Sequence, residues 1–391
     1  MLRRLDARTR LSLRHTDLIA FPGLAQGGPA TWNDELVSRS AIGKPATAVL
    51  GCAAAAALLA ATPVLAPVPA QASGVSASAP PPCGAGTSGG VEAVAPAPSL
   101  ARGASFAVGI CTLELVDPTR RIRLPGGRTE PRTLTTYVRY PALGSPALKD
   151  VPGAPAARTE GSFPLVVFAH GFAVTPAPYS RMLQSWARAG YVVAAPVFPG
   201  ERAGAPGGPD EADVVNEPTD ISFVISSLLT VSASGAGAGP LNGLIDPGAV
   251  AVAGQSDGGE AALAAAYSRR YADPRIRAAI VLSGAEMSGV GGYRFAPGGP
   301  ALLAAQGTAD TFNEPRYAYA YFRAARRPKY LLRLLGAGHL PPYTTEQPQL
   351  GIVERVSVAF LDAYLEHDAS ALGAIGGLGS VPGIAVTHAE P

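Results

Sequence analysis

A serine stands at the centre of the pentapeptide Gly-Gln-Ser-Asp-Gly at positions 254–258, as Ser256. The apolar run before it, residues 249–253, is typical of a buried strand, and the small residues that follow, 259–266, favour a helix. Glycines on both sides let the strand and the helix approach without Cβ clashes, so the turn between them exposes the serine hydroxyl above the sheet. This pattern predicts that Ser256 is a nucleophile, and the chemistry that it indicates is acyl transfer.

A serine hydroxyl is a weak nucleophile without an adjacent base, and the chain contains five histidines. His15 lies before the apolar N-terminal segment, and His170 lies in the loop after an early strand. His367 follows the last predicted helix, and His388 is near the C-terminus. His339 directly follows the last predicted strand, and serine, acid, histidine is a known chain order for such triads. We therefore predict that His339 is the general base.

The acid that orients this histidine is expected between Ser256 and His339. Asp310 ends the segment 302–310 at a turn, where its carboxylate can face the imidazole, fix its tautomer and stabilise the imidazolium. Glu286, one predicted strand earlier, is the alternative. Asp257 and Glu260 are interpreted as parts of the serine turn and its helix. Asp273 is expected in a surface turn, and Glu314 in the first turn of a helix.

Acyl transfer also needs two backbone N–H groups that bind the oxyanion. One is expected from Asp257, the residue after the nucleophile, and the other from Phe172, where Gly171 allows a sharp turn after the apolar segment 163–170. His170 in the same loop is interpreted as structural.

The substrate pocket is expected to have aromatic walls. Phe172 beside the oxyanion site would supply one wall, and the irregular segment 287–299 would add Tyr293 and Phe295. A second irregular segment, 200–218, is rich in acidic residues, which disfavour anionic substrates at the entrance.

The elements that must position these residues alternate along the chain. An edge hairpin is predicted from residues 106–115 and 133–140, followed by buried strands at 163–170, 191–196, 249–254, 278–283, 301–306 and 330–335. Helices are predicted at 179–189, 219–229, 260–270 and 350–365. This alternation predicts an α/β fold with a mostly parallel, doubly wound sheet and helices on both faces.

Four parts of the chain are expected from composition: an N-terminal extension with a signal peptide (1–72), a low-complexity linker (73–104), a catalytic domain (105–370) and a flexible tail (371–391). The signal consists of the basic residues Arg39 and Lys44, the apolar stretch 46–68 and a small-residue site that predicts cleavage after Ala72. The segment before it is long for a signal, which suggests a translation start near Val37. A membrane anchor and lipid attachment at Cys52 are the alternatives to cleavage.

Cleavage after Ala72 would leave Cys83 and Cys111 in an oxidising compartment, which predicts a disulfide between them, with two unrelated thiols as the alternative. Charged residues make up 15% of the chain and the net charge is +2. Because no Lys/Arg cluster is interleaved with aromatic residues, we expect no nucleic-acid partner. We also expect no metal, no cofactor and no stable membrane anchor, and a monomer.

From about residue 106 to residue 365 the sequence resembles bacterial α/β-hydrolases related to platelet-activating factor acetylhydrolase, dienelactone hydrolase, chlorophyllase and the polyester-cleaving cutinases. The segments that carry the resemblance include 116–120, 138–142, 168–172, 190–196, 220–224, the Ser256 turn, 307–310 and 338–339. The resemblance implies an α/β-hydrolase fold and an esterase- or lipase-like activity on small or polymeric esters, without a cofactor. Asp257 departs from the pattern, since relatives often carry Met, Phe or Arg there, and we expect its side chain to line the pocket and affect the choice of substrate.

Two other classes of function remain. A serine peptidase or amidase of the same fold would use the same three residues, and it usually carries an additional propeller or a large lid. A binding protein on an inactive hydrolase fold is also possible, although such proteins usually lose the serine or the histidine.

Overall fold

The computed structural model describes residues 79–84 and 105–391. The predicted signal peptide, its cleavage after Ala72, the translation start near Val37, Cys52 and most of the linker lie outside the described residues.

Ten strands of the described chain form one sheet in the order β10-β9-β8-β7-β6-β4-β5-β2-β1-β3. They are β1 (Ala107–Arg123), β2 (Thr129–Ala142), β3 (Val151–Pro152), β4 (Phe163–Ala169), β5 (Val192–Pro196), β6 (Ile245–Gln255), β7 (Ile276–Leu282), β8 (Ala301–Gly307), β9 (Lys329–Leu334) and β10 (Ala385–Glu390). Strands β4 to β9 run parallel, and the hairpin β1–β2 and strand β10 add antiparallel edges on opposite sides. The predicted mixed α/β fold with a mostly parallel sheet is confirmed.

Within residues 105–391, six α-helices cover the sheet: α1 (Ser180–Arg188), α2 (Glu217–Ala233), α3 (Asp257–Tyr267), α4 (Pro315–Ala324), α5 (Gln349–Leu365) and α6 (Ala369–Leu378). Side chains of a strand point alternately to its two faces, and β4 shows the result, since Leu165 and Val167 join one apolar core while Val166 and Phe168 join another. The first core also contains residues of α2, α3 and α4, and the second contains residues of α1, α5 and α6. The helices therefore lie on both faces of the sheet.

The C-terminal segment corrects one prediction. Residues 371–391 were expected to form a flexible tail, but they contribute most of α6 and all of β10, which pairs with β9 from Ala385–Leu334 to Glu390–Lys329. Asp368 caps α6 by accepting hydrogen bonds from the N–H groups of Ser370 and Ala371. The glycine-rich composition predicted a flexible tail, but residues 385–390 hydrogen-bond to the edge of β9. Local composition does not reveal such a pairing with a distant strand.

Cys83 and Cys111 form the predicted disulfide, which ties the segment before the domain to the first strand. Around it, the Cys83 N–H donates to the Thr112 carbonyl at 3.0 Å and the Thr112 N–H donates to the Pro81 carbonyl at 2.9 Å. The sequence separation of 28 residues corresponds to a stabilisation of about 3 to 4 kcal/mol in the chain-entropy account.

None of the helices in the described ranges combines the length and the apolar character that crossing a membrane requires.

Candidate active site

Ser256 occupies the turn between β6 and α3 in a backbone conformation that a non-glycine residue rarely adopts, with φ 56° and ψ −124°. A Cβ added at Gly254 would overlap the Gly258 carbonyl oxygen, and one added at Gly258 would overlap the Ala169 carbonyl oxygen at the end of β4. Such backbone strain costs on the order of 1 to 3 kcal/mol and persists only where the surroundings enforce it. The predicted strand–turn–helix around Ser256 is confirmed, and both glycines are required by close backbone approach.

Ser256, His339 and Asp310 form one hydrogen-bonded chain. The His339 Nε2 lies 2.8 Å from the Ser256 Oγ, and the His339 Nδ1 lies 2.8 Å from the Asp310 Oδ2. With the proton on Nδ1, the imidazole donates to the carboxylate and accepts from the serine hydroxyl, which is the arrangement that general-base catalysis needs. The three residues follow β6, β8 and β9, whose carboxyl ends meet at one edge of the sheet.

The Asp310 carboxylate is held by several donors and is only 3% exposed. Its Oδ1 accepts from the N–H groups of Phe312 at 2.9 Å and Asn313 at 3.1 Å, and its Oδ2 accepts from the Gln306 side chain at 3.2 Å. Burial acts to raise the pKa of Asp310, but the hydrogen bond and charge of His339 outweigh it, so this pKa lies below its usual range. The carboxylate is therefore ionised and fixed in direction.

Glu286, the alternative acid, makes no hydrogen bond to His339 among the described contacts, and its side chain is exposed. Burial of part of this carboxyl group raises its pKa. The geometry favours Asp310 as the partner of the imidazole.

The loop after β4 comes directly against the serine turn. A Cβ added at Gly171 would lie 3.1 Å from the Ser256 Cβ, so the two segments approach closely and a side chain there would require the serine turn to shift by a few tenths of an ångström. Phe172 follows at once and is 39% exposed. Asp257 is the first residue of α3, where the backbone N–H has no partner within the helix. The structure thus places the loop of Phe172 and the first residue of α3 beside Ser256.

His170 is fully buried and joins two loops. Its Nδ1 donates to the Gly171 carbonyl at 2.9 Å, and its Nε2 accepts from the Phe198 N–H at 3.0 Å. Burial lowers the pKa of His170 to about 4. This neutral imidazole has the structural role that the sequence indicated.

Tyr293 and Phe295, predicted to line the pocket, make no hydrogen bond or ring contact with Ser256 or His339 among the described contacts. Phe295 packs against Tyr267, the last residue of α3, with the ring centroids 4.9 Å apart, and Tyr293 stacks on Phe295. The 11 residues of α3 span about 16 Å at 1.5 Å per residue, so the Phe295 ring lies against the end of the helix opposite Ser256. The charge of Glu260, in the first turn of α3, acts on the Tyr293 hydroxyl, and the role of these two rings in the pocket stays a prediction.

Two residues of the site were missed by sequence reasoning. Phe312 is 78% exposed and its ring lies 5.2 Å from the His339 ring, so it supplies an aromatic surface beside the base. Gln255 donates from Nε2 to the His339 carbonyl at 3.2 Å and accepts from the Tyr179 hydroxyl at 2.7 Å. The only signal for either residue was its position within two residues of one already assigned.

The surface beside the nucleophile is acidic. The Asp257 Oδ1 lies 3.5 Å from the Ser256 Oγ. Burial and the negative charge of Glu211 raise the pKa of Asp257, and burial together with Asp257 and Glu211 raises the pKa of Glu260 to about 8. No group of three or more His, Cys, Asp or Glu side chains in the described ranges is arranged as metal ligands would be.

Comparison with protein families gives one match. The chlorophyllase family model matches residues 153–285, which is 133 of the 391 residues, or about a third of the chain. This range contains Phe172 and Ser256 but ends before Asp310 and His339. The similarity indicates a hydrolase related to an α/β-hydrolase-type family. No curated protein matches the sequence.

Proposed function

We propose that the protein is a serine esterase of the α/β-hydrolase fold that cleaves carboxylic esters through an acyl-enzyme intermediate. The observation that carries the proposal is the continuous hydrogen-bonded chain from Ser256 through His339 to Asp310, with both distances 2.8 Å. The chlorophyllase match supports an ester-hydrolysing function over a peptidase. An inactive binding protein would have no need to keep all three side chains in this geometry.

In the first half-reaction, Ser256 Oγ attacks the ester carbonyl carbon while His339 Nε2 accepts the hydroxyl proton. The negative charge that develops on the carbonyl oxygen is bound by the N–H groups of Phe172 and Asp257. Asp310 stabilises the imidazolium. His339 then donates the proton to the leaving alkoxide as the ester bond breaks. In the second half-reaction water takes the place of the serine hydroxyl, and the carboxylic acid is released.

Substitution of the acid provides the first test. Asp310→Asn leaves the imidazole in the wrong tautomer, and we expect turnover of a p-nitrophenyl ester to fall by about 10⁴-fold, as for a neutralised triad aspartate in other serine hydrolases. Ser256→Ala should remove turnover, and Glu286→Gln is the matched control that should leave it unchanged. Steady-state kinetics of purified variants measure the effect. Near-complete activity of Asp310→Asn, with a large loss in Glu286→Gln, would assign the acid to Glu286.

The substrate proposed is an ester with a short to medium acyl chain and an apolar body. Segment 200–218 contains a short 3-10 helix, Glu211–Asn216, and ends in the first two residues of α2, so it does not form the long apolar helix of an interfacial lipase lid. The pocket should therefore be open in the absence of a lipid surface. The carboxylate of Asp257 beside the oxyanion position opposes anionic substrates.

A p-nitrophenyl ester series tests this substrate class. We expect the highest kcat/KM among the shorter acyl chains with a gradual dependence on length, because one methylene changes the selectivity of an apolar pocket by only about 1 to 3 kcal/mol. The kcat/KM of a succinyl monoester should be lower than that of the uncharged butyryl ester. Asp257→Asn should reduce this difference in kcat/KM. A rate increase that occurs only above the solubility limit of the substrate would contradict the open pocket, and faster amide than ester cleavage would favour the peptidase alternative.

We further propose that the protein is exported and acts outside the cytoplasm as a monomer, on the strength of the basic, apolar and small-residue pattern that ends at Ala72. The Cys83–Cys111 disulfide is consistent with an oxidising compartment. No nucleic acid, cofactor or stable membrane anchor is part of this proposal.

Mass spectrometry of the protein recovered outside native cells tests export. The mature chain should begin at Ser73, and alkylation without a reducing agent should modify no cysteine, because Cys52 has been removed and the other two cysteines are paired. Peptides from residues 46–72 in the exported protein would contradict cleavage, and two alkylated thiols would contradict the disulfide.

A further inference from the structure

A cavity opens at the edge of the sheet opposite the triad. Its volume is about 660 Å³, and it lies where α3 ends, where β7 begins and where the chain enters β8. The triad residues instead follow the carboxyl ends of β6, β8 and β9. Because β6 to β9 run parallel, the two edges are separate surfaces, so this cavity is distinct from the candidate active site. Its volume is within the range of small-molecule sites, about 300 to 1,000 Å³.

Three arginines line the cavity, and each comes from a different segment. Arg269 follows α3, Arg277 is the second residue of β7, and Arg294 lies in the segment before β8. All three residues are exposed, and none of their guanidinium groups forms an ion pair or a hydrogen bond within residues 79–84 and 105–391. Arginine side chains remain charged in proteins. Three uncompensated positive charges therefore border one cavity.

The acidic residue in the cavity wall does not compensate these charges. Asp273 lines the cavity, but its carboxylate accepts from the Nε of Arg275 at 2.9 Å, from the Nη2 of Arg275 at 2.5 Å and from the Arg275 N–H at 3.0 Å. Arg275 is not among the residues that line the cavity. This pair is therefore neutral as a unit, and the three lining arginines have no opposing charge from it.

The backbone fixes the spacing of two of the arginines. The Arg294 N–H donates to the Tyr267 carbonyl at 2.8 Å, and the Arg269 N–H donates to the Gly292 carbonyl at 2.9 Å, on either side of an antiparallel bridge. This register places Arg269 and Arg294 at diagonal positions, a spacing of about 7 to 8 Å in such ladders. Like charges this close repel each other, and an anion bound between them would remove the repulsion.

The rest of the cavity wall is largely apolar and consists mainly of Ala266, Tyr267, Pro274, Ile276, Ala296 and Pro300. The Tyr267 hydroxyl donates to the Pro300 carbonyl at 2.9 Å, which ties the end of α3 to the start of β8. An inorganic ion would leave this wall in contact with water. An organic anion would bury an apolar body against it, which is favourable.

We propose that this cavity is a second ligand site, which binds a small organic phosphate with its phosphate group among Arg269, Arg277 and Arg294 and its apolar body against Tyr267 and Ile276. A phosphate monoester at neutral pH has nearly two negative charges and three acceptor oxygens, which suits three guanidinium groups better than a single carboxylate does. Arginine binds phosphate through pairs of parallel hydrogen bonds. The proposal goes beyond the proposed esterase activity and does not depend on it.

Isothermal titration calorimetry with phenyl phosphate tests the proposal. We expect one phenyl phosphate per chain, weaker binding of inorganic phosphate, and no binding of phenol, which has the ring without the charge. Arg269→Gln, Arg277→Gln and Arg294→Gln should each weaken the binding of phenyl phosphate by about tenfold or more, because each removes hydrogen bonds to a charged group. The affinity should also decrease as sodium chloride is added, since salt screens exposed charges.

Arg270→Gln is the matched control, because it removes the same charge from the next residue along the chain. Arg270 does not line the cavity, and its guanidinium lies over the Tyr271 ring, 5.0 Å from the ring centroid. This variant should bind phenyl phosphate as the wild type does. An equal loss of affinity in Arg270→Gln and in the three cavity variants would overturn the proposal, because it would show attraction by net charge alone.

Three other results would overturn the proposal. They are no binding of phenyl phosphate to the wild-type protein at millimolar concentration, equal affinity for phenyl phosphate and inorganic phosphate, and loss of phenyl phosphate binding in Ser256→Ala. The last result would place the ligand at the candidate active site. Ester turnover without phosphate binding would leave the proposed function intact, and phosphate binding without ester turnover would leave this second site intact.

Discussion

The close crossing of three backbone segments at the Ser256 turn is the constraint on which the site depends. Strand β6 must end and α3 must begin within a few residues, while the end of β4 runs alongside, and a side chain at Gly254 or Gly258 would overlap a carbonyl oxygen. The strands on both sides of β6 fix where these segments meet, since β4 is fully buried and β7 is buried except at Arg277. The strained backbone conformation of Ser256, with its positive φ, persists because the packing of the parallel sheet and of α3 enforces it.

The buried acids of the site are stabilised in two different ways. Asp310 is ionised because backbone and side-chain donors surround it and the imidazole provides the opposing charge. Glu201 and Glu217 have no such donors within the described structure, and burial raises the pKa of both. An uncompensated buried charge is costly, so Asp310 is held in its ionised form whereas the environment of the two glutamates favours their neutral form.

The parts of this structure that follow from local pattern could be predicted from the sequence. Ser256 was identifiable because its strand, turn and helix are adjacent in the chain, and His339 because only one histidine followed a late strand. Choosing Asp310 over Glu286 needed the order of neighbouring strands, which the sequence indicated but did not prove. Tyr293, Phe295 and β10 depend on contacts between segments distant in the chain, and composition carries little information about such contacts.

The acidic interior beside the nucleophile was the least predictable feature. Glu201 and Glu217 are separated by an irregular segment rich in glycine, proline and acidic residues, and this composition predicts a solvated loop. Only the folded chain shows that both carboxyl groups are withdrawn from water and that the backbone of residues 201–203 hydrogen-bonds to residues 173 and 174, in the loop that carries Phe172.

The central claim is that Ser256, activated by His339, is the nucleophile. Treatment with an organophosphonate ester followed by intact-mass and peptide mass spectrometry tests it most directly. The account predicts a single adduct, located on Ser256, that is absent in Ser256→Ala and forms much more slowly in His339→Ala. An adduct on another residue of the folded wild-type protein, or undiminished labelling of Ser256→Ala, would contradict it.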